Sequence, residues 1–224
     1  ADTTMAKNAH EKKLSDFSKG EYDILIGTQM VAKGLNLERV TLVGVLDADM
    51  SLYVDSYRAA ETTFNMLTQV VGRAGRGQRP GRALIQTMTP EHRVIVLASQ
   101  QDYGGFYELE AGLREAKGCP PYRDLYTITF SGPEEGQVLR GAALFRDSLL
   151  GCLEADPYRG LACQVLGPAP AAVAKINYHY RYRLTLRTPR SREVHRLLAY
   201  LLRRFAQDRA NRGISAFADI NGYD

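Results

Sequence analysis

The chain has 224 residues, 45% of them apolar and 24% charged, which is the balance of a folded globule and excludes a disordered or collagen-like chain. No apolar run reaches 18 residues, so no membrane-spanning helix and no membrane partner are expected. The net charge of +4 is uneven: residues 171–212 hold Lys175 and ten arginines against Glu193 and Asp208, a local +9 that leaves 4 − 9 = −5 elsewhere. A segment so charged suits an anionic partner.

The first residues, Ala1-Asp2-Thr3-Thr4, lack an initiator Met and the basic and apolar regions of a secretory leader. The chain is therefore expected to begin inside a longer, cytoplasmic protein. Cys119, Cys152 and Cys163 are widely spaced with no C-x-x-C pair, so free thiols and no metal are expected.

In chain order, Asn8 and Glu11 have capping-box spacing, and Gly20 stands where a helix C′ glycine belongs, which predicts a helix over 9–19. Ile24-Leu25-Ile26 and Val40–Leu46 are short apolar runs, expected as buried parallel strands covered on both faces. A helix is expected over 57–75, with Phe64, Leu67, Val71 and Ala74 on one face and Gln69, Arg73 and Arg76 roughly opposite. Ala83–Gln86 reads as a strand. Thr89-Pro90-Glu91-His92 is expected to open a helix with Pro at its first position, and a further helix covers about 105–117.

Pro120-Pro121 predicts a domain boundary, giving domains 1–119 and 120–224. Beyond it the pattern is strand 125–130, helix 134–154, a turn at Gly167-Pro168-Ala169-Pro170, strand 180–186, helix 192–210 and strand 214–220. That pattern is β-α-β-β-α-β-like and implies a small α+β domain after an α/β one.

The sharpest motif is Gln69-Val70-Val71-Gly72-Arg73-Ala74-Gly75-Arg76. Arg73 and Arg76 are i and i+3, so their guanidinium groups can converge near one helix end. Gly72 and Gly75 allow a ligand to approach. Paired arginines suit a triphosphate whose charge must be spread in the transition state. The stretch Gly27-Thr28-Gln29-Met30-Val31-Ala32-Lys33-Gly34 follows an expected strand end, where open α/β sheets bind ligands. Thr28 offers a hydroxyl, and Gly27 and Gly34 let backbone N–H groups approach a phosphate.

These stretches resemble motifs VI and V of superfamily 2 helicases. Asp47-Ala48-Asp49, Arg58-Ala59-Ala60-Glu61, Gln86–His92, Pro120-Pro121-Tyr122, Gly167–Pro170 and Tyr180-Arg181-Tyr182-Arg183 extend the likeness over nearly the whole chain, in order, to the PriA family of bacterial replication-restart helicases. The resemblance implies a RecA-like second motor lobe, cut short, followed by a small α+β DNA-binding domain. It implies a 3′→5′ DNA helicase using ATP and Mg, acting on branched and single-stranded DNA in replication restart and primosome assembly, in the bacterial cytoplasm at the nucleoid. Arg76 is then the leading arginine finger and Arg73 the second, with Gln69 coupling nucleotide to DNA. Gly27, Thr28, Gln29, Lys33, Gly34, Gly72 and Gly75 share that coupling. Single-stranded-DNA-binding protein and other primosome proteins are the implied partners.

The chain departs from the family at Leu37-Glu38, where an aromatic-Pro pair is common, and at Gly222, where Pro is common. No G-x-x-x-x-G-K-[ST] or D-E-x-H pattern occurs, so the fragment alone is expected to lack ATPase activity. Zinc is expected only in a region upstream.

In the basic segment, Lys175, Arg181, Arg183 and Arg187 alternate with Tyr178, Tyr180 and Tyr182. Strand alternation puts Arg181, Arg183 and Arg187 on one face and Tyr180 and Tyr182 on the other. The arginines suit phosphates and the tyrosines suit base stacking, so Lys175, Tyr180, Arg181, Tyr182, Arg183 and Arg187 are candidate DNA contacts. Core packing is the competing role for the tyrosines. The competing function is a stand-alone nucleic-acid-binding module with no ATPase role.

Overall fold

The computed structural model describes residues 9–28, 40–72 and 80–222. They fall into two compact units: Ala1–Val54 with Arg58–Glu110, and Asp55–Tyr57 with Ala111–Asp224.

The first unit opens with α1 (Ala9–Lys19). Gly20 takes a left-handed φ of 86°. Its N–H donates to Phe17 O and that of Glu21 to Asp16 O, both at 3.0 Å, which closes the helix as a Schellman motif. Asn8, the expected cap, lies outside the described residues. Residues 24–26 form no strand, and Ile24 and Ile26 are 78% and 87% exposed, contrary to the expected buried strand. Strand geometry is not intrinsic to an apolar run; it needs a paired neighbour, and no described strand pairs here.

β1 (Leu42–Val45) and β2 (Arg82–Ile85) pair in parallel, Leu42 opposite Arg82 and Val45 opposite Ile85. Both alternate exposed and half-buried positions, so the pair is not covered on both faces as expected. Between them run α2 (Asp49–Leu52) and α3 (Ala59–Val71), the crossover that a parallel pair requires. Residues 73–75, expected to continue α3, lie outside the described residues. After β2 come α4 (Arg93–Ser99) and α5 (Tyr103–Lys117). The helix after Pro90 starts later than expected. His92 N–H donates to Thr89 O at 2.9 Å, closing a turn with Pro90 in its second place, and His92 Nδ1 then caps α4 by accepting from Val94 N–H.

Phe64 and Leu67 of α3 pack against Val94, Ile95, Ala98, Phe106 and Ala48. Phe64 and Phe106 stack with centroids 4.1 Å apart. The 3.6-residue period placed Phe64 and Leu67 on the inward face, while Val71 is half-buried and Ala74 lies outside the described residues; burial, not propensity, fixes which side of α3 turns inward.

The second unit holds β3 (Asp124–Gly132), α6 (Glu135–Leu153), β4 (Gln164–Ile176), β5 (His179–Thr188), α7 (Arg192–Gln207), a 3₁₀ turn (Arg209–Asn211) and β6 (Ser215–Ile220). The sheet order is β4-β5-β3-β6, antiparallel throughout, the split βαβ arrangement. Helix 192–210 stops at Gln207 because the Asp208 carboxylate caps the 3₁₀ turn by accepting from Ala210 N–H.

Gly167–Pro170 belongs to β4 and is not a turn. Leu166 faces Thr185 and Ala169 faces Arg183, so one extra residue is absorbed in a bulge. Prolines are tolerated because β4 is an edge strand. Gly167 is required there: its φ is +98° and a Cβ would meet Arg183 O at 2.7 Å. Alternate residues Tyr126, Ile128 and Phe130 of β3 and Tyr182, Leu184 and Leu186 of β5 form the core with both long helices. Phe130 lies between Phe145 and Phe205, with centroids at 5.3 and 5.4 Å.

Candidate nucleic-acid interface

β5 alternates strictly, so one register decides the fate of every side chain on it. Tyr180, Tyr182, Leu184 and Leu186 turn to the helices; Arg181, Arg183, Thr185 and Arg187 turn to the other face. Arg181 sits opposite Ser131, Arg183 opposite Thr129 and Thr185 opposite Thr127 on β3. Thr127, Thr129 and Ser131 in turn face Asp219, Phe217 and Ser215 on β6. The result is three half-buried arginines sharing a face with the Thr127 and Ser131 hydroxyls, a buried Thr129, the exposed Phe217 ring and the Asp219 carboxylate at the β6 edge. Such a face offers hydrogen-bond donors and positive charge to a phosphate backbone. Arg187 Nη1 reaches Gln164 Oε1 at 3.4 Å, which ties it to the β4 edge.

Tyr182 is not on that face. It is 9% exposed within the core, and its hydroxyl donates to Glu135 Oε1 at 2.9 Å. That bond, burial and the Glu135 charge raise its pKa, so it stays neutral. It cannot stack on a base without leaving the core, which corrects its assignment as a DNA contact. Tyr180 is half-buried on the same side, with Lys175 Nζ 4.2 Å from its ring centroid and 3.1 Å from its hydroxyl. Lys175 and Tyr180 therefore act as one unit.

The helix arginines were not singled out by sequence. On α7, Val194, Leu197, Leu198, Leu201 and Phe205 are buried, while Arg192, Arg196, Arg203 and Arg204 are exposed. Helical periodicity across 192–207 carries that signal. Arg190, Arg192, His195 and Arg196 line an open cleft of about 360 Å³ together with Asp124, Tyr126, Ser191 and Ile220, so three guanidinium groups share it with one carboxylate. Ser191 positions this corner: its hydroxyl accepts from Val194 N–H at 3.3 Å and donates to Glu193 at 2.8 Å. The Ser191 hydroxyl and neighbouring arginines hold the Glu193 carboxyl below the usual range.

In the first unit, Gln69 is exposed on α3 and Gly72 is its C-cap, where an added Cβ would lie 3.1 Å from Thr68 O. Gly27 and Thr28 are exposed in irregular chain. Gln29, Lys33, Gly34, Arg73, Gly75 and Arg76 lie outside the described residues. At the carboxyl ends of β1 and β2, Asp49 joins two loops. It is 8% exposed and accepts from Thr87 Oγ1 (2.9 Å), Met88 N–H (2.7 Å) and Thr89 Oγ1 (2.7 Å). The Thr89 hydroxyl first, then the Met88 N–H and Thr87 hydroxyl, hold its carboxyl below the ordinary range against the opposing effect of burial. A carboxyl depressed on folding stabilises above its unfolded pKa, and that contribution is lost as pH falls through the folded value. Asp49→Ala is therefore expected to lower the urea midpoint of the first unit at neutral pH, by an amount that shrinks on acidification. An equal loss at every pH would remove the carboxylate from the account.

Residues 115–222 match the family described as Primosomal protein N C-terminal domain, and residues 1–78 match Helicase conserved C-terminal domain. The chain is 40% identical over 222 residues to the Replication restart protein PriA of Bacillus subtilis, covering 99% of this chain and 27% of that protein. It is 42% identical to that of Synechocystis over 84% of this chain and 22% of the relative. It is 34% identical to that of Treponema pallidum over 98% and 32%. The chain thus spans about a quarter of the length of the curated relatives it matches. Two family matches in tandem, one that takes in β1 and α3 but ends before β2 and one across the antiparallel sheet, together with these identities, place the chain in the PriA family, in the portion with the helicase conserved C-terminal domain and the primosomal C-terminal domain.

Proposed function

We propose that the chain is the part of an ATP-driven 3′→5′ DNA helicase for replication restart that supplies nucleotide-sensing arginines from domain 1–119 and a DNA-binding surface from domain 120–224. The observation that carries the DNA-binding half is the row Arg181, Arg183, Arg187 on one sheet face, inside a segment of net +9. Lys175, bound to Tyr180, adds a fixed cation on the same hairpin. Arg76 and Arg73 reach ATP bound with Mg on the first motor lobe, and Gln69, Gly27, Thr28, Gln29, Lys33, Gly34, Gly72 and Gly75 couple that site to DNA. The fragment alone, without a phosphate loop in its 224 residues, does not turn over ATP. Contact with single-stranded-DNA-binding protein and other primosome proteins belongs to the same reading.

The test is binding of the chain to fluorescent forked DNA across a salt series. Unaltered protein is expected to weaken steeply with salt. Replacing Arg181, Arg183 and Arg187 together with Gln is expected to reduce the log–log salt slope by about 2–3, the loss of three phosphate contacts. An unchanged slope would move DNA contact off this face.

A further inference from the structure

β4 and β5 are joined by two residues, Asn177 and Tyr178, between the paired Ile176 and His179. Both take left-handed backbone, with φ of 48° and 64°. That is the signature of a type I′ hairpin turn, for which Asn-Gly is the favoured pair. Asn177 suits its place. Tyr178 does not, because a side chain on left-handed backbone crowds the following carbonyl. Its ring gains nothing in exchange, since Tyr178 is 86% exposed. Folding alone would favour glycine at this position. A disfavoured backbone that carries a bare aromatic ring points to a contact outside the fold.

The surroundings define the chemistry of that contact. No acidic side chain occurs between Asp156 and Glu193. Lys175 is held on the Tyr180 ring close to the turn, and Arg181 follows on β5. β4 places residues 171–174 opposite Arg181 alone, a wide bulge behind the turn. A cation for phosphate beside a ring for a base is the pairing that binds unpaired nucleic acid. A two-residue turn presents one ring, so it can cover one base and cannot form a platform for successive bases. Bases inside a duplex are stacked on both sides; the last pair at a junction has one open face.

We propose that Tyr178, at the tip of the β4–β5 hairpin, stacks on the terminal base pair where duplex DNA opens into single strands, with Lys175 on the adjoining phosphate. This rests on the DNA-binding reading above and assigns the hairpin tip to junction recognition. The test compares the unaltered chain with Tyr178→Gly and Tyr178→Phe on a forked DNA carrying 2-aminopurine in the last base pair, and on a blunt duplex. Tyr178→Gly is expected to bind the fork about tenfold more weakly, at the lower to middle range for loss of one stacked base. It is also expected to lose the fluorescence change at the junction and to keep its duplex affinity. Its melting temperature holds or rises, since glycine suits the turn. Tyr178→Phe behaves as the unaltered chain. Fork affinity unchanged in Tyr178→Gly overturns the proposal, as does an equal loss on fork and duplex. A loss confined to binding of single-stranded-DNA-binding protein also overturns it and assigns the tip to a protein. If the unaltered chain binds neither DNA, the DNA-binding reading fails, and the junction role fails with it.

Discussion

Arg76→Ala, in a polypeptide that also carries the first motor lobe, is expected to lower DNA-stimulated ATP hydrolysis by about 10³- to 10⁵-fold while leaving DNA binding and thermal unfolding unchanged. Phosphoryl transfer spreads charge over the oxygens of the transferred group. A guanidinium brought across the cleft supplies planar donors at the moment that charge develops. In Gln69–Arg76, Arg76 is the terminal arginine and Arg73 lies three residues before it in sequence. Arg73→Ala is expected to reduce turnover less and to raise the ATP concentration needed for half-maximal rate. Steady-state ATPase assays with and without forked DNA separate the two. Near-normal turnover in Arg76→Ala would remove the finger assignment and favour a nucleic-acid-binding module with no part in ATP hydrolysis.

Phe130→Ala is expected to destabilise the second unit by about 3–5 kcal/mol. Phe130 is fully buried on the central strand β3, edge-on to both Phe145 of α6 and Phe205 of α7, so its ring is the point where sheet and both helices meet. Removing it leaves a cavity that three elements must collapse to fill, and whole domains are stable by only about 5–15 kcal/mol. Phe217 offers the control. It lies on the opposite sheet face and is 45% exposed, so Phe217→Ala is expected to change the urea midpoint little. Equal losses at the two positions would mean that the arginine face is covered and not available to DNA.

Local signals served where one residue decides the local structure. Gly20 ends α1 because only its backbone reaches the left-handed geometry cheaply, and the sequence shows it directly. Much of the order of elements in the second unit was legible, since β5 alternates and α7 has a clear apolar stripe, but β4 shows no such alternation and was not expected as a strand. Tertiary pairing overruled local chemistry elsewhere. Gly167–Pro170 has the composition of a turn, yet β5 draws it into an edge strand through a bulge. Ile24–Ile26 has the composition of a buried strand but finds no described partner. Alternation along β5 separated the arginines from the tyrosines but did not say which side faces the core. Leu184 and Leu186, in step with Tyr182, hold that answer, since two leucines outweigh one phenol for burial. The +9 of residues 171–212 was visible as a sum, whereas its division between β5 and the outer face of α7 emerges only when strand and helix are folded.

The place of β3 in the sheet also sets how the second unit assembles in time. Its neighbours are β5 and β6, and Tyr126 pairs with Ile220, a separation of 220 − 126 = 94 residues. Contacts so far apart along the chain carry a loop-closure cost before they return any stabilisation, so this unit belongs among the slower folders. During synthesis, β3 emerges long before β6 exists and must wait with one edge open. The apolar side chains of Tyr126, Ile128 and Phe130 wait with it until α6 and α7 arrive. A nascent chain halted between β5 and β6 is therefore the species most exposed to aggregation and to holding chaperones.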